Sequence, residues 1–151
     1  MGQSLSQLYV HLTFGTKKRY PFIRPDTEER LHSYLAGKLK NLESPALIIN
    51  SVPDHIHILF RLSKNHALAH VVEEIKKQSS KWIKGFGPGY LNFSWQTGYG
   101  AFSVSSSIVE IVKEYISNQK DHHHKITYRE EVEEFIKEYD VIEYDSQYFW
   151  E

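Results

Sequence analysis

Two histidines separated by one hydrophobic residue are the first group in this sequence that could do chemistry. His55 and His57 lie in the segment Pro53-Asp54-His55-Ile56-His57-Ile58-Leu59-Phe60. Its alternation of apolar residues predicts a β-strand, and side chains two residues apart on a strand share a face. Two imidazoles on one face can bind a divalent metal when another segment supplies a third ligand. Ordinary half-buried strands also carry such pairs, so the pair alone does not assign a function.

Tyr115 and Gln119 could supply the remaining groups of such a site. They are four residues apart in a segment predicted to be helical, so both lie on one helical face. A tyrosine oxygen can attack a phosphate, although its ordinary pKa of about 10 requires help from a metal or a base. Alternatively, Tyr115 is a core residue in line with Ile111 and Val112. Gln119 is less easily explained as core, because a buried amide needs hydrogen-bond partners.

The rest of the chain predicts the elements that must position these groups. Strands are predicted at 8–14, 46–52, 55–60 and 93–104, and helices at 26–42, 65–84, 107–119 and 127–139. Capping boxes are predicted for Asp26 with Glu29, Ser107 with Glu110 and Thr127 with Glu130. This order predicts an α+β fold, a ferredoxin-like (split βαβ) antiparallel sheet with helices on one face and appended C-terminal helices. We expect one domain over 1–151, with a core of about 4–120 and a C-terminal helix and aromatic tail of about 127–151.

Several polar residues near the histidine pair have expected positions. The first and third strands of this fold are central neighbours, so His55 and His57 would lie in mid-sheet with one face open. His11, in the first strand, is expected to be a surface or substrate-side residue. Residues 122–124, three consecutive histidines, are expected to be a solvated connection, because they cannot all converge on one ion. Asp54 either orients His55 or is a turn residue.

Composition restricts the class of protein. The chain has 151 residues and no cysteine, which excludes disulfides and thiolate sites and favours a cytoplasmic location. No apolar run approaches the roughly 20 residues of a membrane span. Net charge is -1, but residues 1–85 carry 13 Lys/Arg against 7 Asp/Glu, while residues 86–151 carry 5 against 12. This asymmetry permits a basic face for a polyanion.

Two basic clusters are candidate DNA contacts. One lies in a loop with interleaved aromatic residues, and the other lies on the second predicted helix. The candidates are Lys17, Lys18, Arg19, Lys76, Lys77, Lys81 and Lys84. Ordinary solvation of surface lysines explains both clusters as an alternative.

Three segments, in this order and spacing, resemble one enzyme family. They are Pro53-Asp54-His55-Ile56-His57-Ile58-Leu59, Trp95-Gln96-Thr97-Gly98-Tyr99-Gly100-Ala101-Phe102-Ser103-Val104 and Tyr115-Ile116-Ser117-Asn118-Gln119. They look like the single-tyrosine transposases of the smallest bacterial insertion sequences, TnpA-type enzymes named for a His-hydrophobic-His motif. The resemblance spans nearly the whole chain.

This resemblance implies a function and a role for each residue. His55, His57 and Gln119 would be ligands of Mg²⁺ or Mn²⁺. Tyr115 would attack single-stranded DNA, leaving a 5′-phosphotyrosine and a free 3′-hydroxyl. Family members recognise short imperfect hairpins near element ends and work as homodimers, often with Tyr115 of one chain facing the histidine pair of the other.

Three alternatives stay open at this point. A domesticated relative acting on repeated extragenic palindromes would share the chemistry. A noncatalytic ferredoxin-like nucleic-acid-binding module would use exposed aromatic residues and lysines. A small zinc hydrolase would need a carboxylate near the pair, and Glu73 and Glu74 are the nearest candidates in sequence.

Overall fold

A four-stranded antiparallel sheet is the centre of the computed structural model, which describes residues 2–151. Its strands are β1 (Leu8–Gly15), β2 (Ala46–Val52), β3 (His55–Leu62) and β4 (Gly100–Val104). Their order in the sheet is β2-β3-β1-β4, which puts β1 and β3 at the centre. This order is that of a ferredoxin-like fold, so the predicted fold class is confirmed.

One face of the sheet carries the main hydrophobic core. Two helices cover it, α1 (Pro25–Asn41) and α2 (Leu68–Ile83). Alternate residues of the central strands point to this face, including Leu12 and Phe14 from β1 and Ile56 and Ile58 from β3, all 0% exposed. Because successive side chains of a strand point to opposite faces, the histidines of β3 lie on the other side.

The second face is covered rather than open, which corrects the sequence-based expectation. After β4 come four helices: α3 (Val109–Ser117), α4 (Gln119–His122), α5 (Tyr128–Glu138) and α6 (Ser146–Phe149). Helix α3 packs on β2 and β3. Helix α5 reaches the sheet through Tyr128, whose ring stacks on His55, and Phe135, whose ring lies edge-on to His11. Within residues 2–151, no helix is long and apolar enough to cross a membrane.

Local structure differs from the sequence-based expectation at two helix starts and one strand. The Thr127 capping box forms at α5, as predicted. Helix α1 begins at Pro25 without a side-chain cap, because proline at the first turn needs no N–H partner. A short 3₁₀ turn at Ser106–Ile108 precedes α3, so the predicted cap at Ser107 does not form. The segment before β4 is mostly loop, with one isolated bridge between Trp95 and Thr16.

Candidate active site

The two histidines of β3 lie under the C-terminal helices, on a central strand of the sheet. Both are 0% exposed. In the register of β1 with β3, His57 is opposite Thr13. The ring of His55 stacks on Tyr128 at a centroid distance of 3.9 Å. The rings are therefore fixed by packing before any metal or substrate binds.

Each imidazole of this pair uses its Nδ1 atom for a contact that points out of the site. Nδ1 of His55 lies 2.7 Å from Oδ1 of Asp54, and Nδ1 of His57 lies 2.8 Å from Nε2 of His11. Such partners fix the orientation of an imidazole, so its other nitrogen faces the site. Of the two roles considered for Asp54, this contact favours the orienting one. His11 is only 2% exposed, so the expected surface position for it is wrong.

A buried carboxylate from α5 lies where the inward-facing nitrogens meet. Glu131 is 0% exposed, and its Oε1 lies 2.9 Å from Nε2 of His57, 3.0 Å from Nε2 of His123 and 3.5 Å from Nε2 of His55. The Thr127 cap starts α5 just before Glu131, so the carboxylate lies in the first turn. Glu131 shares the buried face of that helix with Tyr128, three residues before it, and Phe135, four residues after it.

Tyr115 and Gln119 reach the second oxygen of the same carboxylate. The Tyr115 hydroxyl donates a hydrogen bond to Oε2 of Glu131, and Nε2 of Gln119 donates to that oxygen at 3.0 Å. The ring of Tyr115 lies 6.1 Å from that of His57 between centroids. The helix predicted to run through Gln119 breaks at Asn118, yet both side chains still point to one place. All four residues expected to do chemistry therefore converge within one chain.

The donor set fits a divalent metal. The ligand atoms of His55, His57, His123 and Glu131 all lie within 4.8 Å of one another, a spacing that suits coordination to one ion. Within residues 2–151, Oε1 of Gln119 is buried without a hydrogen-bond partner. A buried acceptor without a partner is costly unless a cation or a donor satisfies it.

Burial and mutual contacts shift the ionisation of these groups. Burial lowers the pKa of His57 to about 4. Burial also acts to lower the pKa of His55, but hydrogen bonds to Asp54 and Glu131 outweigh it and raise that pKa. Burial would raise the pKa of Glu131, but the electrostatic interaction with His57 and hydrogen bonds with the surrounding imidazoles lower it. Burial and the negative charge of Glu131 raise the pKa of Tyr115. The carboxylate is therefore ionised and the phenol keeps its proton.

The basic residues expected to contact DNA lie on two separate surfaces. The turn Lys17–Arg19 is exposed, and Arg19 lines a cavity of about 570 Å³ that also borders His123 and Asp54. Lys76, Lys77 and Lys81 on α2, and Lys84 directly after that helix, belong to the helix layer on the opposite face of the sheet.

Lys76 differs from its neighbours on α2. Its Nζ donates to the backbone oxygens of Gln96, Thr97 and Gly98 at 2.6, 3.1 and 3.1 Å, so this lysine holds the loop before β4 against α2. Lys81 is exposed. DNA contact by any of these basic residues stays a prediction.

Two residues of the cluster were not found from the sequence. Residues 122–124 were expected to be a solvated connection, which is wrong for His123, although His124 is exposed. His122 reaches the site as well, because its Nε2 lies 3.4 Å from Oε2 of Glu131. Two of the three histidines therefore contact the carboxylate, although all three do not converge on one ion. Helical spacing places Glu131 beside Val132 on the buried face of α5, and a carboxylate there requires partners. That signal was available. Glu73 and Glu74, the nearest carboxylates in sequence, lie on α2.

Comparisons with known proteins identify a family and solved structures of similar fold. A family model described as "Transposase IS200 like" matches residues 4–119. A Deinococcus radiodurans protein described provisionally as a transposase is 21% identical, with a TM-score of 0.62 over 79% of this chain and 96% of that one. A REP-associated tyrosine transposase, solved bound to a REP hairpin, is 15% identical, with a TM-score of 0.61 over 83% of this chain and 76% of that one. At these identities the two structures show a shared fold. The comparison with curated proteins gave no match.

Proposed function

Because this chain belongs to the IS200-like transposase family, we propose that it cleaves and rejoins single-stranded DNA through a covalent bond to Tyr115. One observation carries the proposal: the Tyr115 hydroxyl and the imidazole of His57 contact opposite oxygens of one buried carboxylate. A phenol beside inward-facing imidazoles, in a set that fits a metal, is the arrangement a tyrosine nucleophile needs for attack on a phosphodiester.

The proposed step exchanges one phosphodiester bond for another. The Tyr115 oxygen forms a bond to phosphorus while the bond from phosphorus to the 3′ oxygen breaks. The Tyr115 hydroxyl loses its proton to solvent as this bond forms, and the leaving 3′ oxygen takes a proton from solvent and becomes a free hydroxyl. Tyr115 then carries the 5′-phosphate, and no net proton is consumed. Rejoining is the same exchange in reverse, with a 3′-hydroxyl attacking the phosphotyrosine. No external energy source is required, because the bond type is conserved.

We assign His55, His57 and Gln119 as ligands of Mg²⁺ or Mn²⁺. The inward-facing Nε2 atoms and the buried Oε1 of Gln119 support this set. When bound, such a metal withdraws charge from a phosphate oxygen and makes the phosphorus easier to attack. The protein itself fixes the orientation of both imidazoles, because Asp54 and His11 contact their Nδ1 atoms. Imidazole ligands favour Mn²⁺ over Mg²⁺.

The proposed substrate is single-stranded DNA with a hairpin beside the cleavage site. The similarity in fold to a REP-associated tyrosine transposase bound to a REP hairpin supports this choice. So does the cavity next to His123, whose lining includes Arg19 and Lys125. The same similarity favours a second candidate function, domesticated action on repeated extragenic palindromes. We also propose a homodimer, although Tyr115 and the histidine pair already meet within one chain.

A covalent adduct tests the proposal. The protein is incubated with Mn²⁺ and a pool of hairpin oligonucleotides whose single-stranded flanks are randomised. A denaturing gel and mass spectrometry should then reveal a protein–DNA conjugate with the DNA on Tyr115. Tyr115→Phe should abolish the conjugate, while Tyr148→Phe, at a side chain that is 62% exposed, should leave it unchanged. An undiminished conjugate in Tyr115→Phe refutes the assigned nucleophile. Hairpin binding with no conjugate favours the noncatalytic module.

A further inference from the structure

The two oxygens of Glu131 have different partners. Oε1 faces imidazole nitrogens, with His57 at 2.9 Å and His123 at 3.0 Å. Oε2 faces the proposed nucleophile, accepting from Tyr115 and, at 3.0 Å, from Gln119. The carboxylate therefore lies between the imidazole group and the phenol.

We propose that Glu131 bridges the bound metal and the nucleophile. In this arrangement Oε1 is a metal ligand, His123 is a third imidazole ligand, and Oε2 holds the Tyr115 hydroxyl. Glu131 is then a positioning residue for the attack as well as a ligand. Both added ligands lie beyond the matched residues 4–119. The inference rests on the proposed function only for the identity of the nucleophile.

The hydrogen-bond balance of the imidazoles supports a cation at Oε1. Nδ1 of His123 lies 2.9 Å from the carbonyl oxygen of Ile126, and Nδ1 of His55 lies 2.7 Å from Asp54. A carbonyl and a carboxylate only accept, so both rings carry a proton on Nδ1. Their Nε2 atoms are nevertheless 3.0 Å apart, beside Oε1 of Glu131. Atoms this close repel unless a proton or a metal ion lies among them. In the metal-free protein His55 supplies that proton, and a divalent ion would replace it and bind all three atoms together.

The contacts of Oε2 support a positioning role. Tyr115 is half-buried, and its hydroxyl has one further partner, Nε2 of His122 at 3.3 Å. That second contact is at the long end for a hydrogen bond, so Glu131 provides the main restraint on the hydroxyl. Restraint of a nucleophile at the reacting geometry contributes to rate without contributing to DNA affinity. Loss of Glu131 should therefore slow attack and leave hairpin binding unchanged.

Cobalt titration tests the ligand half of the inference without any DNA. Co²⁺ is added to the folded protein, and its visible absorption reports the number and type of ligands. Wild-type protein should develop visible Co²⁺ bands as three imidazole nitrogens and the oxygens of Glu131 and Gln119 replace water around the ion. Glu131→Gln and His123→Ala should each weaken Co²⁺ binding by roughly ten- to hundredfold, and Glu131→Asp, which keeps the carboxylate, should lose less. Glu138→Gln, in the last turn of the same helix and exposed, is the matched control.

Conjugate formation at saturating Mn²⁺ tests the positioning half. Glu131→Gln should form the Tyr115 conjugate at least tenfold more slowly, with wild-type affinity for the hairpin. Wild-type Co²⁺ affinity and spectrum in folded Glu131→Gln overturn the ligand role, and a wild-type conjugation rate overturns the bridge. If Glu131→Gln does not fold, as judged by circular dichroism, His123→Ala decides the ligand set, because that side chain is partly exposed. Failure of the proposed function is a separate result, since it leaves the Co²⁺ titration intact and removes the conjugate from wild type.

Discussion

Acid should destabilise the metal-free protein between pH 6.5 and about 4, because two buried imidazoles must stay neutral in the fold. Burial is the largest cause in both cases: it lowers the pKa of His57 from 6.5 to about 4 and that of His11 from 6.5 to about 3. Their ring nitrogens are only 2.8 Å apart, so a charge on one ring also disfavours a charge on the other.

The sign follows from the number of protons bound in each state. Between pH 6.5 and about 4 the unfolded chain carries protons on both imidazoles and the folded protein carries none. The free energy of unfolding therefore decreases as the pH decreases. His57 contributes a loss of about 3 kcal/mol by pH 4, and His11 up to a similar amount, at about 1.4 kcal/mol per pKa unit. His55, whose pKa is raised, is protonated in both states below pH 6.5 and adds no slope there.

Urea unfolding in a chelating buffer, followed by circular dichroism at one-unit pH intervals from 7 to 4, measures this loss. We expect a decrease of roughly 3–6 kcal/mol across the range. His11→Phe should roughly halve the decrease, because one titrating imidazole is removed from a site already lined by Phe102 and Phe135. His70→Gln, at an exposed position, should leave it unchanged. A free energy of unfolding that stays constant or rises as the pH falls would refute the reasoning.

Three further predictions concern other parts of the molecule. Lys76→Met should lower the free energy of unfolding by about 2–4 kcal/mol, because three backbone oxygens lose a charged donor; Lys81→Met, at an exposed position, is the control, and equal effects of the two would contradict the assigned role. Thr127→Ala should lower the stability of α5 by about 1 kcal/mol, because it removes the helix cap. It should also weaken metal binding, because Glu131 lies in the first turn after that cap. Unchanged metal affinity would show that the cap does not position the carboxylate. Metal binding should release protons and strengthen as the pH rises, because imidazole ligands bind as neutral rings; calorimetry in buffers of different ionisation enthalpy measures the release, and affinity that does not change with pH would count against imidazole ligation.

Most of the sheet could be predicted because short patterns of consecutive residues indicate its strands and one of its turns. Alternating apolar residues identified β1 and β3, and the short turn at Pro53 and Asp54 identified the antiparallel pairing of β2 with β3. Helix starts were less predictable, since a capping sequence competes with other local choices. At α1 a proline in the first turn replaced the Asp26 cap, and before α3 a 3₁₀ turn included Ser107.

The candidate site could be predicted only in part because its ligands come from distant segments. His55 and His57 are set by one strand, so their shared face follows from the pattern alone. Glu131 reaches His57 across 74 positions of sequence, and His123 reaches His55 across 68. Those contacts depend on how α5 packs on the sheet, which a helical pattern does not specify. The pattern shows which face of α5 is buried and not what that face meets.

Strand β3 lies between an apolar environment on one face and a polar site on the other, and its side chains alternate between the two. Along β3, Ile56, Ile58 and Phe60 face hydrocarbon, while His55 and His57 face polar groups one residue away on the same backbone. Deleting a single residue within β3 would invert this assignment, placing imidazoles among aliphatic side chains and isoleucines beside a buried carboxylate. Related sequences should therefore show almost no change in the length of this strand.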